Sequence, residues 1–224
     1  MYLAMDTAGP RASLAVGDGR GGVLAEISPE VGARSSRALM PSVEALMAGA
    51  GLRPTDLEGV IVGRGPGSYT GVRIAAAAAK GLVHALGCPL FAYGSLSAMS
   101  EGTEEIGRAL LPLLPARRGE AFAACHRLHA DGLEELAPPA LLAAGAAAEL
   151  ALEHAAVAIG SGASRLGDAL RTAGVRVDAA LGDRVAAGLL RLHAAQEGDG
   201  RVADPRTWEP RYLRPDGDSG QPTG

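Results

Sequence analysis

Gly63-Arg-Gly-Pro-Gly-Ser-Tyr-Thr-Gly-Val-Arg73 joins a short buried run, Gly59-Val-Ile-Val62, to a long stretch at helical spacing. Glycines at 65, 67 and 71 permit backbone angles closed to other residues and let another chain segment come close. Free N–H groups at the start of the following helix favour an anion, and Ser68 or Thr70 can cap that helix. No Gly-Lys-Ser/Thr follows, so this is not a Walker loop. Pro66 interrupts any dinucleotide fingerprint, and no strand-borne acid stands where a ribose partner belongs. On the residues alone, a tight strand-to-helix turn and a ligand loop are equally open.

After the motif, spacing predicts a helix over 70–86. Val72, Ala75, Ala79, Leu82, Val83 and Leu86 lie on one face, and Arg73, Ala77, Lys80 and His84 on another. Before it, apolar runs at 2–6 and 12–16 turn at Gly9-Pro10 as a hairpin, and 23–27 adds a third strand. Residues 35–50 read as a helix with Leu39, Val43, Leu46, Met47 and Ala50 on one face, Ser35 or Ser36 as cap and Gly51 as stop. Pro41 predicts a kink or a late start there. Downstream, 88–93 reads as a strand and 95–99 as the start of a helix. Residues 109–114 and 121–126 read as strands paired around Arg117-Arg-Gly-Glu120. Helices are expected over 140–153, 163–173 and 184–196, with a strand at 156–159. No repeat shows at a fixed period. A meander followed by alternating helices and strands predicts an α/β protein with mixed sheets flanked by helices. We divide it into a lobe of residues 1–103, a lobe of 104–214 and a tail of 215–224. The tail has nothing apolar to bury and is expected to be disordered.

The 224 residues are 47% hydrophobic and only 3% aromatic, so the core must be built from Ala, Leu and Val. A net charge of -4 argues against a chain that grips RNA alone through a broad basic face. Cys88 and Cys125 are too few for a zinc set or a disulfide framework, and with no signal peptide they point to a reducing cytoplasm. The apolar stretches at 75–79 and 140–148 fall short of the roughly 20 residues of a membrane span. Lys80 is the single lysine among 21 basic residues, and it stands beside the glycine motif. Of the histidines at 84, 126, 129, 154 and 193, no two are four apart, so no helical metal pair is expected. His126 and His129 are expected on opposite faces of a strand end, both at the surface.

The central motif, with Ala79-Lys-Gly-Leu82 after it, closely resembles the signature of the TsaB family. Met5-Asp-Thr7, Leu39-Met-Pro41, Ala116-Arg-Arg-Gly-Glu120 and Pro210-Arg-Tyr-Leu-Arg214 extend the resemblance along the chain. It implies a two-lobed actin/hexokinase-like fold. It further implies a non-catalytic subunit of the complex that makes N6-threonylcarbamoyladenosine at position 37 of tRNA. The implied partners are a TsaD-like transferase, held as a heterodimer through the N-terminal lobe, and a TsaE-like ATPase. Contact with tRNA would come only through the complex, and a homodimer of the free subunit is allowed. No cofactor or metal is intrinsic, though ATP or ADP can enter with the complex. Asp6, Thr7, Arg64, Gly65, Gly67, Ser68, Tyr69, Thr70, Arg73 and Lys80 are expected at the partner- or nucleotide-facing surface. Leu39, Met40, Leu46, Met47, Ala76 and Lys80 are expected at the dimer interface. Two positions depart from the family pattern: Ser35-Ser36 stands where His-Ser/Thr is usual, and Pro115 where Asp is usual. The alternative is an ATP-dependent small-molecule kinase of the same superfamily, with Asp6 at its phosphate loop and Gly160-Ser-Gly162 as a second nucleotide loop. A protease reading needs a nucleophile with a base, and Ser68 has no histidine near it in sequence.

Overall fold

A computed structural model describes residues 1–29 and 35–213 of the chain. The first half runs β1 (Tyr2–Asp6), β2 (Ser13–Gly17), β3 (Val23–Ile27), α1 (Ser35–Gly49), β4 (Gly59–Gly63), α2 (Tyr69–Leu86), β5 (Leu90–Tyr93) and α3 (Ser95–Glu101). The second runs β6 (Ala109–Pro115), β7 (Glu120–His129), β8 (Gly132–Ala143), α4 (Ala144–Glu153), β9 (Val157–Ile159), α5 (Ser161–Thr172), β10 (Val177–Asp178) and α6 (Val185–Ala195). Each half builds a five-stranded sheet, in the orders β3-β2-β1-β4-β5 and β10-β9-β6-β7-β8. In both, a central strand pairs antiparallel on one side and parallel on the other. The chain is therefore a duplication of one βββαβαβα unit. No fixed period betrays it, because the second unit has longer meander strands and shorter later ones, and shares topology rather than residues.

Burial follows strand position. Leu3, Ala4 and Met5 of central β1 are wholly buried, whereas edge strand β3 alternates half-buried and exposed residues. Helices α1 and α2 cover the outer face of the first sheet through Leu39, Val43, Leu46, Met47, Ala75, Ala79 and Val83. Helix α1 begins six positions before Pro41, so the predicted late start is not taken. Residues 140–143, predicted as the first turn of a helix, are instead the end of β8, paired with β7 from Glu120 to Ala123.

The inner faces carry the exchange that locks the halves together. Helix α3 packs on β6 and β7 of the second sheet, and α6 packs on β1, β2 and β4 of the first. The two helices cross so closely that a Cβ on Gly188 would run into the Ala98 carbonyl, and one on Gly102 into that of Arg184. After α6 the chain returns along the first sheet. Val202 N donates to Leu90 O at 2.8 Å, Ala92 N to Gly200 O at 2.9 Å, and Arg211 N to Arg64 O at 2.8 Å. A cut after residue 103 would thus separate each terminal helix, and the strap of residues 203–213, from the sheet it packs on. Arg184 adds an ionic tie, reaching Glu26 on β3 and Glu104 between the halves at 2.8 Å each. No helix of the described residues is long and apolar enough to cross a membrane. The expectation of a disordered tail falls on residues outside those described.

Candidate functional site

The glycine motif grips the first strand end. A Cβ on Gly67 would come within 2.6 Å of the Ala8 Cβ, one on Gly63 would strike the Asp6 carboxylate, and one on Gly71 the Thr7 carbonyl. The contacts at Gly67 and Gly71 are held by hydrogen bonds that a side chain would push apart. Ser68 N donates to Ala8 O at 2.8 Å, and the Thr7 hydroxyl donates to Gly71 O at 2.6 Å. Asp6 is buried; Ser95 Oγ donates to its Oδ2 at 2.5 Å and Ala8 N to its Oδ1 at 2.7 Å. Burial pushes the Asp6 carboxyl above the usual carboxylate range, against these two donors. Ser95, which no sequence signal marks, also accepts from Gly65 N at 3.1 Å. Gly71 N, an N–H an anion would need, donates to Ser68 Oγ at 3.2 Å as the helix cap. The N–H groups of Gly65, Ser68 and Gly71 are thus engaged within the chain, as a tight strand-to-helix turn requires. Asp6→Ala is expected to cost about 2 kcal/mol, since it strands two buried donors. Asp6→Asn should cost less than half as much, and urea melts of the two variants check the difference.

Asp6 also lines a cleft between the halves, with Gly9, Arg11, Ser95, Met99 and Asp183, of about 70 Å³. That is short of the roughly 300 Å³ at the low end of small-molecule pockets. Gly160 and Gly162, the expected second nucleotide loop, are spent on packing: a Cβ there would meet Met99 Sδ at 2.5 Å or Leu113 at 2.7 Å. Among the described residues, no group of three or more His, Cys, Asp and Glu side chains gathers as a metal site.

The open surface lies on the other side of the motif. Between α1 and α2 runs an apolar groove of about 490 Å³, lined by Leu39, Met40, Ile74, Ala77 and Ala78, with Tyr69, Thr70 and Arg73 at one end. Arg73 is a hub. Its guanidinium stacks 4.3 Å over the Tyr69 ring, and its Nε donates to the Tyr212 hydroxyl at 2.9 Å. Tyr69 and Tyr212 lie 5.1 Å apart between ring centres. Lys80 reaches the same strap, donating to Arg206 O at 3.3 Å. A second groove, of about 460 Å³, is formed by Gly67, Tyr69, Arg73, Phe122, Arg211 and Tyr212.

Several predicted positions move. Leu39, Leu46, Met47 and Ala76 are at most 4% exposed and pack under α1 and α2, so they build the core; of the expected interface set, Met40 and Lys80 keep surface to offer. Their burial has a plain cause, since the periodic apolar face of a helix first serves its own sheet. His126 is likewise wholly buried, its Nδ1 2.9 Å from Ser100 Oγ, because α3 covers the face of β7 it occupies; His129 stays exposed, against Glu134 at 3.0 Å. Spacing could not reveal Phe122, Arg211 and Tyr212 as groove residues. The Pro210-Arg-Tyr-Leu motif was the signal for Arg211 and Tyr212, explained by the returning strap, while nothing in the sequence marks Phe122. Pro115 ends β6 opposite Ala121, and the side chains of Ser35 and Ser36 lie outside the described residues.

Two interlocked βββαβαβα halves around a cleft define an α/β protein of the actin/hexokinase-like class. Component A of (R)-2-hydroxyglutaryl-CoA dehydratase from Acidaminococcus fermentans shares the fold alone, with a TM-score of 0.54 at 10% identity over 88% of this chain and 98% of that one. The family model for TsaD, tRNA N6-adenosine threonylcarbamoyltransferase, matches residues 18–197, and the chain belongs to this family, in its TsaB group. It is 33% identical over 116 residues to the tRNA threonylcarbamoyladenosine biosynthesis protein TsaB of Bacillus subtilis, covering 52% of this chain and 51% of that protein. To TsaB of Escherichia coli it is 31% identical over 134 residues, covering 58% and 57%. The matched stretches thus span little more than half of either relative. YeaZ from Pseudomonas aeruginosa superimposes with a TM-score of 0.77 at 25% identity, over 95% of this chain and 99% of that one.

Proposed function

We propose that this chain is a non-catalytic cytoplasmic subunit in the synthesis of tRNA N6-threonylcarbamoyladenosine, and that it supports a TsaD-like transferase by binding it across α1 and α2. The observation that carries this reading is the groove between those helices, open at Met40, Ile74, Ala77 and Ala78. Alanines there let a partner helix approach closely, and Met40 adapts to its shape. The remaining features favour support over chemistry. The N–H groups of Gly65, Ser68 and Gly71 are engaged within the chain, and the Asp6 cleft has little room for a nucleotide. ATP or ADP would accordingly arrive with a TsaE-like ATPase, and tRNA with the assembled complex. A homodimer of the free subunit would use the same groove.

Ala77 is exposed on α2, so Ala77→Arg should leave the melting temperature unchanged while filling the groove with a charge. Affinity for the TsaD-like subunit, read by calorimetry, is expected to fall at least tenfold, and tRNA modification by the reconstituted complex with it. Unaltered affinity would sink the assignment. ATP turnover by the isolated chain would favour the kinase alternative instead.

A further inference from the structure

We infer that the groove beside the partner face, lined by Tyr69, Arg73, Phe122, Arg211 and Tyr212 and flanked by Arg64 next to Arg211, is a contact for the phosphate backbone of a single RNA strand, with Tyr69 as a platform for one base. This rests on the proposed role in tRNA modification and adds a direct RNA contact to it. The first observation is electrostatic. Arg64 and Arg211 are held side by side because Arg211 N donates to Arg64 O at 2.8 Å. Both side chains are exposed, yet among the described residues neither makes an ion pair with a carboxylate. Partial burial first, and then the neighbouring Arg211 guanidinium, push Arg64 below the ordinary arginine range, so an anion close to both would be favoured. In a chain of net charge -4, such a cluster marks a local site rather than a general surplus. Glu209 lies on the far side of Arg73, in the adjoining space with Lys80 and Trp208, and does not line this groove.

The second observation is the aromatic lining. Tyr69 is 57% exposed although α2 begins at it, and Phe122 and Tyr212 face the same space of about 460 Å³. A basic track flanked by aromatic rings is the chemistry of sequence-tolerant single-strand binding, in which phosphates meet arginines and bases stack on rings. The third observation is placement. Phe122 comes from the second sheet, directly opposite Leu114, where β6 and β7 turn through Arg117 and Arg118. The groove therefore opens between the halves, beside a turn where Arg117 is paired with Glu120 at 3.2 Å and Arg118 adds a further positive charge. It shares the Tyr69–Arg73 ridge with the partner groove, so RNA held here would lie beside a bound transferase.

The test uses the full chain in complex with its TsaD-like partner and an unmodified tRNA transcript, with Arg64→Ala/Arg211→Ala as the variant. Only the backbone groups of these residues make the strap's bonds, so folding should be spared. Affinity for the transcript is expected to drop about tenfold, and the slope of log K against log salt to become shallower by about 1.4, for two phosphate contacts on a single strand. Arg64→Lys/Arg211→Lys should restore the slope. Unchanged affinity and slope would overturn the inference. So would a loss of partner binding in the double variant, which would make the groove a protein contact. AMP binding that needs the two arginines, with tRNA affinity indifferent to them, would overturn it in favour of a mononucleotide site. If the wild-type complex fails to form, the subunit reading falls by itself. Transcript binding by the isolated chain, with the same sensitivity to both arginines, would then still support the RNA contact.

Discussion

Gly71→Ala should destabilise the protein by about 4 kcal/mol or more and leave little folded chain in the soluble fraction. The added methyl points into the carbonyl oxygen of Thr7, which is backbone and cannot swing aside as a side chain would. Relief requires moving α2 away from the end of β1. That movement breaks the Thr7 hydroxyl bond to Gly71 O at 2.6 Å and strains the Ser68 N bond to Ala8 O at 2.8 Å. It also lifts Val72, Ala75 and Ala79 from the sheet, where all three are at most 1% exposed. A buried overlap with backbone, lost hydrogen bonds and a loosened helix each carry about 1–3 kcal/mol. Domains of this size hold about 5–15 kcal/mol in all, so the sum is a large share. Gly81→Ala gives the control, since it lies on the same helix with open space around its Cα. It should be neutral or slightly stabilising through helix propensity. Equal urea midpoints for the two variants would refute the interlock.

The interlock shows what was readable in the chain and what was not. The glycines announced close approach, and the strand before them and helix after them followed from local pattern alone. What approached them was unreadable, because Asp6-Thr7-Ala8 lies more than fifty residues away and carries no mark of its pairing. The same limit explains Leu46 and Met47. Period shows that a helix has an apolar face, but whether that face meets its own sheet or a partner depends on tertiary packing. The exchange of α3 and α6 between sheets was not readable either: both helices are buried on nearly every side, and a short helix after a short strand does not say which sheet it will cover. Pro138-Pro139 and the alanines after them hid the long strand β8, whose register is fixed by β7 rather than by its own propensity. Family resemblance supplied the two lobes. Only coordinates show that the C-terminal strap closes the groove the motif begins.

His126 should make the protein lose about 3 kcal/mol of stability between pH 7 and pH 4. Its ring is wholly buried under α3, and burial lowers its pKa from 6.5 to about 4. Nδ1 meets Ser100 Oγ at 2.9 Å, while Nε2 has no partner, so a charged ring would hold a donor with nothing to receive it. Above pH 6.5 the ring is neutral whether the chain is folded or not, and the full stability is present. As pH falls below that value the unfolded chain takes up a proton that the native state refuses, so stability is lost until the native ring titrates near pH 4. The slope is about 1.36 kcal/mol per pH unit for one proton, which over this window gives the expected loss. Asp6 and Glu101, both raised by burial, act with the opposite sign, since the native state binds their protons first as pH falls. His193, lowered by burial, acts with the same sign as His126. The difference between wild type and His126→Phe removes these shared contributions. Urea midpoints measured at half-unit intervals should converge as pH falls from 7 to 4, because the variant lacks the proton uptake. Parallel curves would mean that the ring titrates normally, and that α3 does not seal it from water.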